Sequence, residues 1–352
     1  MSSVCISIII PVRNEEKHIR SCLSDVLAFE LPPQVDYEVL VMDGRSVDLT
    51  RAIVDEVTLV NRRVQLYDNP GRTAPSALNR GLREAKGQWI MRLDAHSRYP
   101  KEYLRKCYET ALRTKADNVG GIRETHYGRS LWSLAVALMI NHTFAAGNAH
   151  YRTGAKVARE VDTVFCGFYR REIFESVGVF NEKLIRAQDK EFNARLRKNG
   201  GRIWLNPEIT CSYYPRTNIA AYIHWCYLGG LWVVRAQHLS GTRLLSWRNF
   251  IPATFVSYQL VAVSLLSFTS DYSVAVLSGL IAYLLIAFCV SIQAAAMHKQ
   301  WLLIGILPPL FYVTHMAYGV GFMQALLELL AKSTKHVVGK VPIRKLVLYK
   351  SG

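Results

Sequence analysis

The sequence predicts an α/β protein: a mostly parallel, Rossmann-like sheet covered by helices, followed by transmembrane helices at the C-terminal end. Three observations carry this. Short apolar runs alternate with amphipathic stretches at βαβ spacing through the N-terminal half. Carboxylates fall at the ends of several of those runs. Three long apolar segments, at about 251–268, 274–296 and 302–327, lie near the other end.

The elements follow in order. Val4–Ile10 is a buried strand ended by Pro11. Glu15–Ala28 is a helix, with Ile19, Leu23, Val26 and Leu27 on one face. Tyr37–Met42 is a second strand that stops at Asp43-Gly44. Val47–Val60 is a helix and Val64–Tyr67 a third strand. Ala74–Ala85 is a helix halted by Lys86-Gly87, and Gln88–Leu93 is the fourth strand. Further on, Ser130–Ala146 is apolar but interrupted by Asn141 and His142, which suits a buried or membrane-facing helix better than a span. Gln188–Lys198 is a helix closed by Gly200-Gly201. Ile219–Leu239, rich in Trp and Tyr, suits the membrane interface. The division expected is a globular domain over 1–216, an interfacial helical linker over 217–250, membrane segments over 251–330 and a basic tail over 331–352.

The 352 residues carry a net charge of +16. The positive-inside rule places the globular part with the cytoplasm. The loop 269–273 has no basic residue and suits the outside, and His298 and Lys299 suit the inside. Three full spans would then export the basic tail, against the rule. A third segment that turns back at Pro308-Pro309 avoids this, and the sequence leaves the tail's side open. No nucleic-acid-binding motif accompanies the charge, so no nucleic acid partner is expected; anionic lipid and anionic substrate account for it. The seven cysteines form no C-x-x-C pair, which argues against a zinc site and for a reducing compartment.

Asp94-Ala95-His96 closes the fourth strand. In an extended strand, residues two apart share a side, so both groups are placed to grip one divalent cation at the strand's C-terminal mouth. Asp43 after the second strand and Asp189 at the start of a later helix are carboxylates at comparable ends. Each alone also reads as a turn or capping residue. With Pro11-Val12-Arg13-Asn14-Glu15 after the first strand, they form one coherent mouth.

These residues resemble glycosyltransferase family 2. The resemblance rests on Pro11–Glu16, on Val41–Thr50 around Asp43-Gly44-Arg45-Ser46, on Ala77–Leu82, and on Asp94-Ala95-His96 at the family's D-x-D position; it spans roughly residues 4–215. Arg92–Pro100, Val161–Val164, Tyr169–Glu172 and the C-terminal apolar segments are similar to the ExoA-like, succinoglycan-type exopolysaccharide glucosyltransferases within it. The resemblance implies a GT-A fold and transfer of one sugar, UDP-glucose being the expected donor, with inversion to a β linkage. The implied acceptor is a polyprenyl-linked glycan at the bacterial cytoplasmic membrane, with the catalytic domain in the cytoplasm.

It also implies roles. Asp43 would accept from a uracil N3–H, and Pro11, Arg13, Asn14 and Glu15 would line base and ribose; Glu15 also reads as a first-turn helix residue. Asp94 would hold Mg²⁺ or Mn²⁺ against the two phosphates. His96 replaces the family's second Asp, and ligation, phosphate binding or orientation of Asp94 all remain open to it. Asn79 and Arg92 would neutralise phosphate. Asp189 would be the general base, with Gln188 where the family carries Glu; one carboxylate fewer should lower the Asp189 pKa relative to an acidic pair. Gly167 and Arg170, within Phe165–Arg171, would lie in the acceptor floor or simply pack the core. The Q-x-x-R-W motif of processive members is absent, which implies transfer of a single sugar. Two alternatives stand beside this: a polyprenyl-phosphate glycosyltransferase, whose acceptor is the phosphate itself, and a non-catalytic membrane-anchored subunit that only binds nucleotide sugar.

Overall fold

A computed structural model describes residues 5–128, 130–147, 149–214, 218–268 and 273–335. The elements of the first half are β1 (Ile6–Val12), α1 (Ile19–Leu27), β2 (Tyr37–Asp43), α2 (Thr50–Val60), β3 (Val64–Asp68), α3 (Ala74–Glu84), β4 (Trp89–Arg92), β5 (Ser97–Arg98), α4 (Tyr103–Thr114) and β6 (Asn118–Thr125). Then come α5 (Leu131–Asn141), α6 (Thr143–Ala146), α7 (His150–Thr153), β7 (Arg159–Glu160), β8 (Phe165–Arg170), α8 (Ile173–Ser176), α9 (Gln188–Lys198) and β9 (Ile203–Tyr213). Four helices follow: α10 (Ile219–Ser240), α11 (Ile251–Phe268), α12 (Ser273–His298) and α13 (Leu303–Lys335), with a 3₁₀ turn at Trp247–Phe250.

The strands form one sheet in the order β3-β2-β1-β4-β8-β6-β9-β5, with β7 beside β9. β1 pairs in parallel with both β2 and β4, and β2 with β3. β8 runs antiparallel to β4 and β6, so the far half of the sheet is mixed. β1 reads as an unbroken apolar run because both its faces are covered. Ile6, Ile8 and Ile10 join the core under α1 and α4, and Ile9 joins Leu40, Met42 and Leu78 of the opposite core. Chain order reverses at β1, the place where open α/β sheets leave a crevice beyond the strand ends.

Two helices start later than their apolar patterns suggest, for one reason. The loops after β1 and β2 bond to each other before either helix begins. Asn14, at φ 56°, receives Val47 N–H on Oδ1 at 2.9 Å, and Asn14 N–H donates to Ser46 Oγ at 2.9 Å. Glu15 N–H donates to Thr50 Oγ1 at 2.7 Å and Glu16 N–H to Asp48 Oδ2 at 3.2 Å. These backbone groups are therefore spent across the two loops, and α1 opens at Ile19 and α2 at Thr50.

The C-terminal helices form a second core. α5 buries Leu134, Val136 and Met139 against Tyr222 of α10 and Leu307 and Phe311 of α13, so the apolar stretch read at 130–146 packs among the helices. α10 and α13 approach to backbone contact: a Cβ on Gly230 would lie 1.9 Å from Tyr318 O, and one on Gly321 would lie 2.1 Å from Tyr227 O. Arg235 and Glu328 pair across the same contact at 2.6 Å. Trp247–Phe268, Val276–His298 and Leu303–Ala331 are each long and apolar enough to cross a membrane. α13 continues through Pro308 and Pro309 without a break, so the helix does not turn back there. The loop 269–272 and the tail from 336 onward lie outside the described residues.

Candidate active site

The C-terminal ends of β1, β2 and β4 open at one edge of the sheet, where Val12 lies opposite Asp43 and Ile9 opposite Arg92. Asp43 is 1% exposed. Its Oδ1 accepts from Ser46 Oγ at 2.6 Å and from Ser46 N–H at 3.2 Å, and Arg51 approaches Oδ2 at 3.4 Å. The turn role is thus visible in its bonds. Gly44 N–H donates to Val12 O at 2.8 Å, and a Cβ on Gly44 would sit 3.3 Å from both that oxygen and Arg13 Cβ. This close seam holds Pro11, Arg13, Asn14 and Glu15 beside Asp43. Glu15 precedes the first turn of α1 rather than lying in it.

β4 ends at Arg92, and Asp94-Ala95-His96 occupies the turn that leads into β5. The same-side argument therefore does not apply to Asp94 and His96. Arg92 Nη2 donates to Asp94 Oδ1 at 2.7 Å. Arg92 Nη1 donates to Oδ2 of Asp189, which α9 delivers from the other side. Asp189 lies in the first turn of α9, whose N-cap is Ala187 at φ 62°, so Asp189 is not the cap and its side chain is directed to the mouth. Gln188, beside it, is buried. Tyr99 fixes the turn: its hydroxyl accepts from Asp94 N–H at 2.9 Å and donates to Asp94 O at 3.0 Å.

The three charges are held away from bulk water, with side-chain exposures of 10% for Arg92, 16% for Asp94 and 29% for Asp189. Burial pushes the Asp189 carboxyl above the usual range; Arg92 opposes this and Asp94 adds to it. Desolvation thus sets the direction of the shift from the ordinary carboxylate value. Burial also resists ionisation of Asp94, but Arg92 and then His96 hold its carboxyl below the ordinary value. His96 turns to Glu15, Nδ1 to Oε1 being 3.5 Å. Burial disfavours its cation, yet Glu15 and Asp94 together raise its pKa.

Among the described residues, no cluster of three or more His, Cys, Asp or Glu forms a ready cation cage. Asp94 offers Oδ2, which has no hydrogen-bond partner among the described residues. One carboxylate oxygen fits Mg²⁺ or Mn²⁺ when substrate phosphates supply much of the remaining shell.

Other expected site residues lie elsewhere. Asn79 is buried in α3 and its amide is consumed: Nδ2 donates to Phe180 O and Glu182 Oε1, both at 2.8 Å, and Oδ1 accepts from Phe180 N–H at 2.9 Å. It pins the 180–182 loop to α3 and has no donor left for phosphate. Arg170 pairs in register with Trp89, at the opposite end of β4 from Arg92, with its guanidinium 5.1 Å from the Trp89 ring centre. Three residues of strand, about 10 Å, separate it from the mouth. Gly167 leaves room in the core, where a Cβ would meet Tyr169 at 2.5 Å and Asn118 Oδ1 at 2.6 Å. Glu191, two residues after Asp189 on α9, is buried and paired with Arg195 at 2.6 Å.

One residue at the mouth gives no signal in the sequence. Arg123, on β6, is 5% exposed, and its Nε and Nη2 have no partner among the described residues. Its guanidinium sits 4.2 Å from the Tyr213 ring centre, 5.6 Å from Phe165 and 5.9 Å from Tyr151. The Tyr213 ring also meets the edge of His96, 5.8 Å between centres, which places this aromatic box beside the Asp94 turn. Burial and the nearby Arg152 lower the Arg123 pKa. A buried cation with two idle donors has the hydrogen-bonding capacity to hold an anion.

Residues 7–178 match the family described as Glycosyl transferase family 2. The succinoglycan biosynthesis protein ExoA of Rhizobium meliloti (strain 1021) is 34% identical over 231 residues, covering 65% of this chain and 68% of that protein. A Methanococcus voltae enzyme named dolichyl N-acetyl-alpha-D-glucosaminyl phosphate 3-beta-D-2,3-diacetamido-2,3-dideoxy-beta-D-glucuronosyltransferase is 33% identical over 226 residues, 62% of this chain and 69% of that protein. Among solved structures, the mannosyltransferase PcManGT from Pyrobaculum calidifontis, in complex with GDP-Man and Mn²⁺, superposes with a TM-score of 0.57 at 19% identity, over 92% of this chain and 87% of that one. The chain belongs to glycosyltransferase family 2: it is a glycosyltransferase of GT-A fold that also carries three helices able to span a membrane.

Proposed function

We propose that this enzyme moves one sugar from a nucleoside-diphosphate sugar, UDP-glucose being the donor favoured by the resemblance, onto a polyprenyl-linked glycan at the cytoplasmic face of the bacterial inner membrane. The observation that carries the reading is the placement of Asp94 and Asp189 on two sides of one buried guanidinium, although 95 positions of chain separate them. Asp43, Arg13, Asn14 and Glu15 would hold the nucleoside at the seam of the two loops. Asp94 would hold a divalent cation, Mg²⁺ or Mn²⁺, which when bound neutralises charge on the leaving diphosphate.

Asp189 takes the proton of the acceptor hydroxyl as that oxygen forms its bond to the anomeric carbon. The bond from that carbon to the phosphate oxygen breaks on the opposite face, and the nucleoside diphosphate leaves with the electron pair. A positioned base contributes about 10²–10⁴-fold. Burial suits Asp189 to the task, since a carboxylate of raised pKa is the stronger base. Arg92 opposes that rise and orients the carboxylate until substrates enter. The names of the relatives, one in succinoglycan biosynthesis and one acting on a dolichyl-linked sugar phosphate, support a lipid-linked acceptor.

The idle donors of Arg123 favour a second reading, in which the acceptor nucleophile is a polyprenyl phosphate. Product analysis separates the two: a lengthened glycan supports the first, and a lipid monophosphate sugar supports the second. The direct test of the mechanism is Asp189→Asn in full-length protein. Transfer should fall by at least about 10²-fold while UDP binding, measured by calorimetry, persists. Transfer at the wild-type rate removes Asp189 as the base. Wild-type transfer that survives EDTA removes the cation from the reading.

A further inference from the structure

Away from the mouth, α9 and the segment entering the first span enclose a cavity of about 340 Å³. Lys190, Ala194 and Arg197 form one wall; spaced four and three apart, they lie on a single helix face. Arg243 through Trp247 form the other, and Asp162 is the one carboxylate in the lining. Three cations thus face one exposed anion, and among the described residues no carboxylate reaches ion-pair distance of Lys190, Arg197 or Arg243. The second wall is fixed in shape: Gln237 Oε1 accepts from Leu244 N–H at 2.7 Å and from Leu245 N–H at 3.1 Å, and Leu244 is buried.

The position of the cavity says what could fill it. Trp247 is 69% exposed and begins the first candidate span, followed by exposed Phe250 and Ile251. A tryptophan at the start of a span marks the headgroup level of a bilayer. Basic pockets at that level on the cytoplasmic side attract anionic headgroups. We infer that this cavity binds the phosphodiester headgroup of an anionic phospholipid. Lys190 follows Asp189 directly on α9, so an occupied cavity ties the helix that carries the proposed base to the membrane surface.

The test uses full-length protein in detergent micelles, titrated with phosphatidylglycerol or phosphatidylcholine and read by native mass spectrometry. Phosphatidylglycerol should be retained in preference to phosphatidylcholine. The double variant Arg197→Gln/Arg243→Gln should weaken that retention on the order of tenfold, while Arg62→Gln, which removes an exposed charge on the soluble part, should not. Arg243→Lys should keep most of the retention. Equal retention of both lipids, or no loss in the double variant, overturns the proposal. Competition by aqueous glycerol 3-phosphate as strong as by the lipid would make this a soluble-anion site and overturn it as well.

Discussion

Arg92, the last residue of β4, donates from Nη1 to Oδ2 of Asp189 in the first turn of α9, joining two groups 97 positions apart in the chain. The same guanidinium holds Asp94. One cation therefore sits between two carboxylates that would repel each other in a poorly hydrated cleft, and it opposes the upward push of burial on both pKa values.

Arg92→Met should move the acid limb of kcat/KM to higher pH. Activity needs Asp189 deprotonated, so it is lost as pH falls through the pKa of that group. Arg92 opposes the upward push of burial on this pKa; without the cation the pKa rises further and activity is lost sooner on acidification. Arg92→Lys should restore much of the wild-type profile. A pH–rate series on the three proteins checks this, and an unmoved acid limb in Arg92→Met would refute the coupling.

Arg123→Met should lower transfer on the order of tenfold or more while UDP affinity changes little, because in the second reading its idle donors receive the acceptor phosphate. The melting temperature should not fall. The methionine fills much of the same space among Tyr151, Phe165 and Tyr213, and a desolvated, unpaired cation is removed. A large fall in melting temperature with unchanged transfer would make Arg123 structural.

His96 should make donor binding pH-dependent. Glu15 and Asp94 raise its pKa, so the protonated ring, which faces Glu15 and adds positive charge beside the proposed diphosphate site, persists to higher pH than in a free imidazole. UDP affinity should weaken as pH rises through that value, and His96→Gln should flatten the dependence. The same group contributes stability that is full below its unfolded pKa and fades as pH rises through the folded one. Calorimetry across pH 6–9 reads the binding, and a His96→Gln titration as steep as wild type counts against this role.

Asp48→Ala should cost about 1–2 kcal/mol of stability, the loss of two backbone hydrogen bonds to a charged acceptor. The Asp48 carboxylate accepts Thr50 N–H on Oδ1 at 3.0 Å and Glu16 N–H on Oδ2 at 3.2 Å, so one side chain ties the start of α2 to the loop after β1. Partial burial opposes its ionisation, but bonds from Thr50 and Glu16 lower its pKa. Its contribution is therefore present above the ordinary carboxylate pKa and lost as pH falls through the folded value. Thermal melting at neutral and acidic pH measures both effects.

The apolar periodicities alone located β1 to β4, the three helices between them, α9 and the long C-terminal helices, because each element's burial is written into its own residues. The motifs after β1 and β2 were legible as a site because they repeat a family pattern. What a linear reading missed depends on partners distant in sequence. Asn79 matched a motif, yet the backbone of Phe180 consumes its amide. Arg170 lay in a plausible motif, yet the antiparallel register of β8 carries it to the wrong end of the sheet. Arg123 had no motif and becomes a candidate only where β6, β8 and β9 bring aromatic rings around it. By itself the sequence determined the family, the order of elements from β1 to β4 and the presence of three helices long and apolar enough to span a membrane, since these rest on local pattern and composition. Only the tertiary structure decided which charges face one another, because pairing and desolvation depend on distances across the sheet that no spacing along the chain encodes.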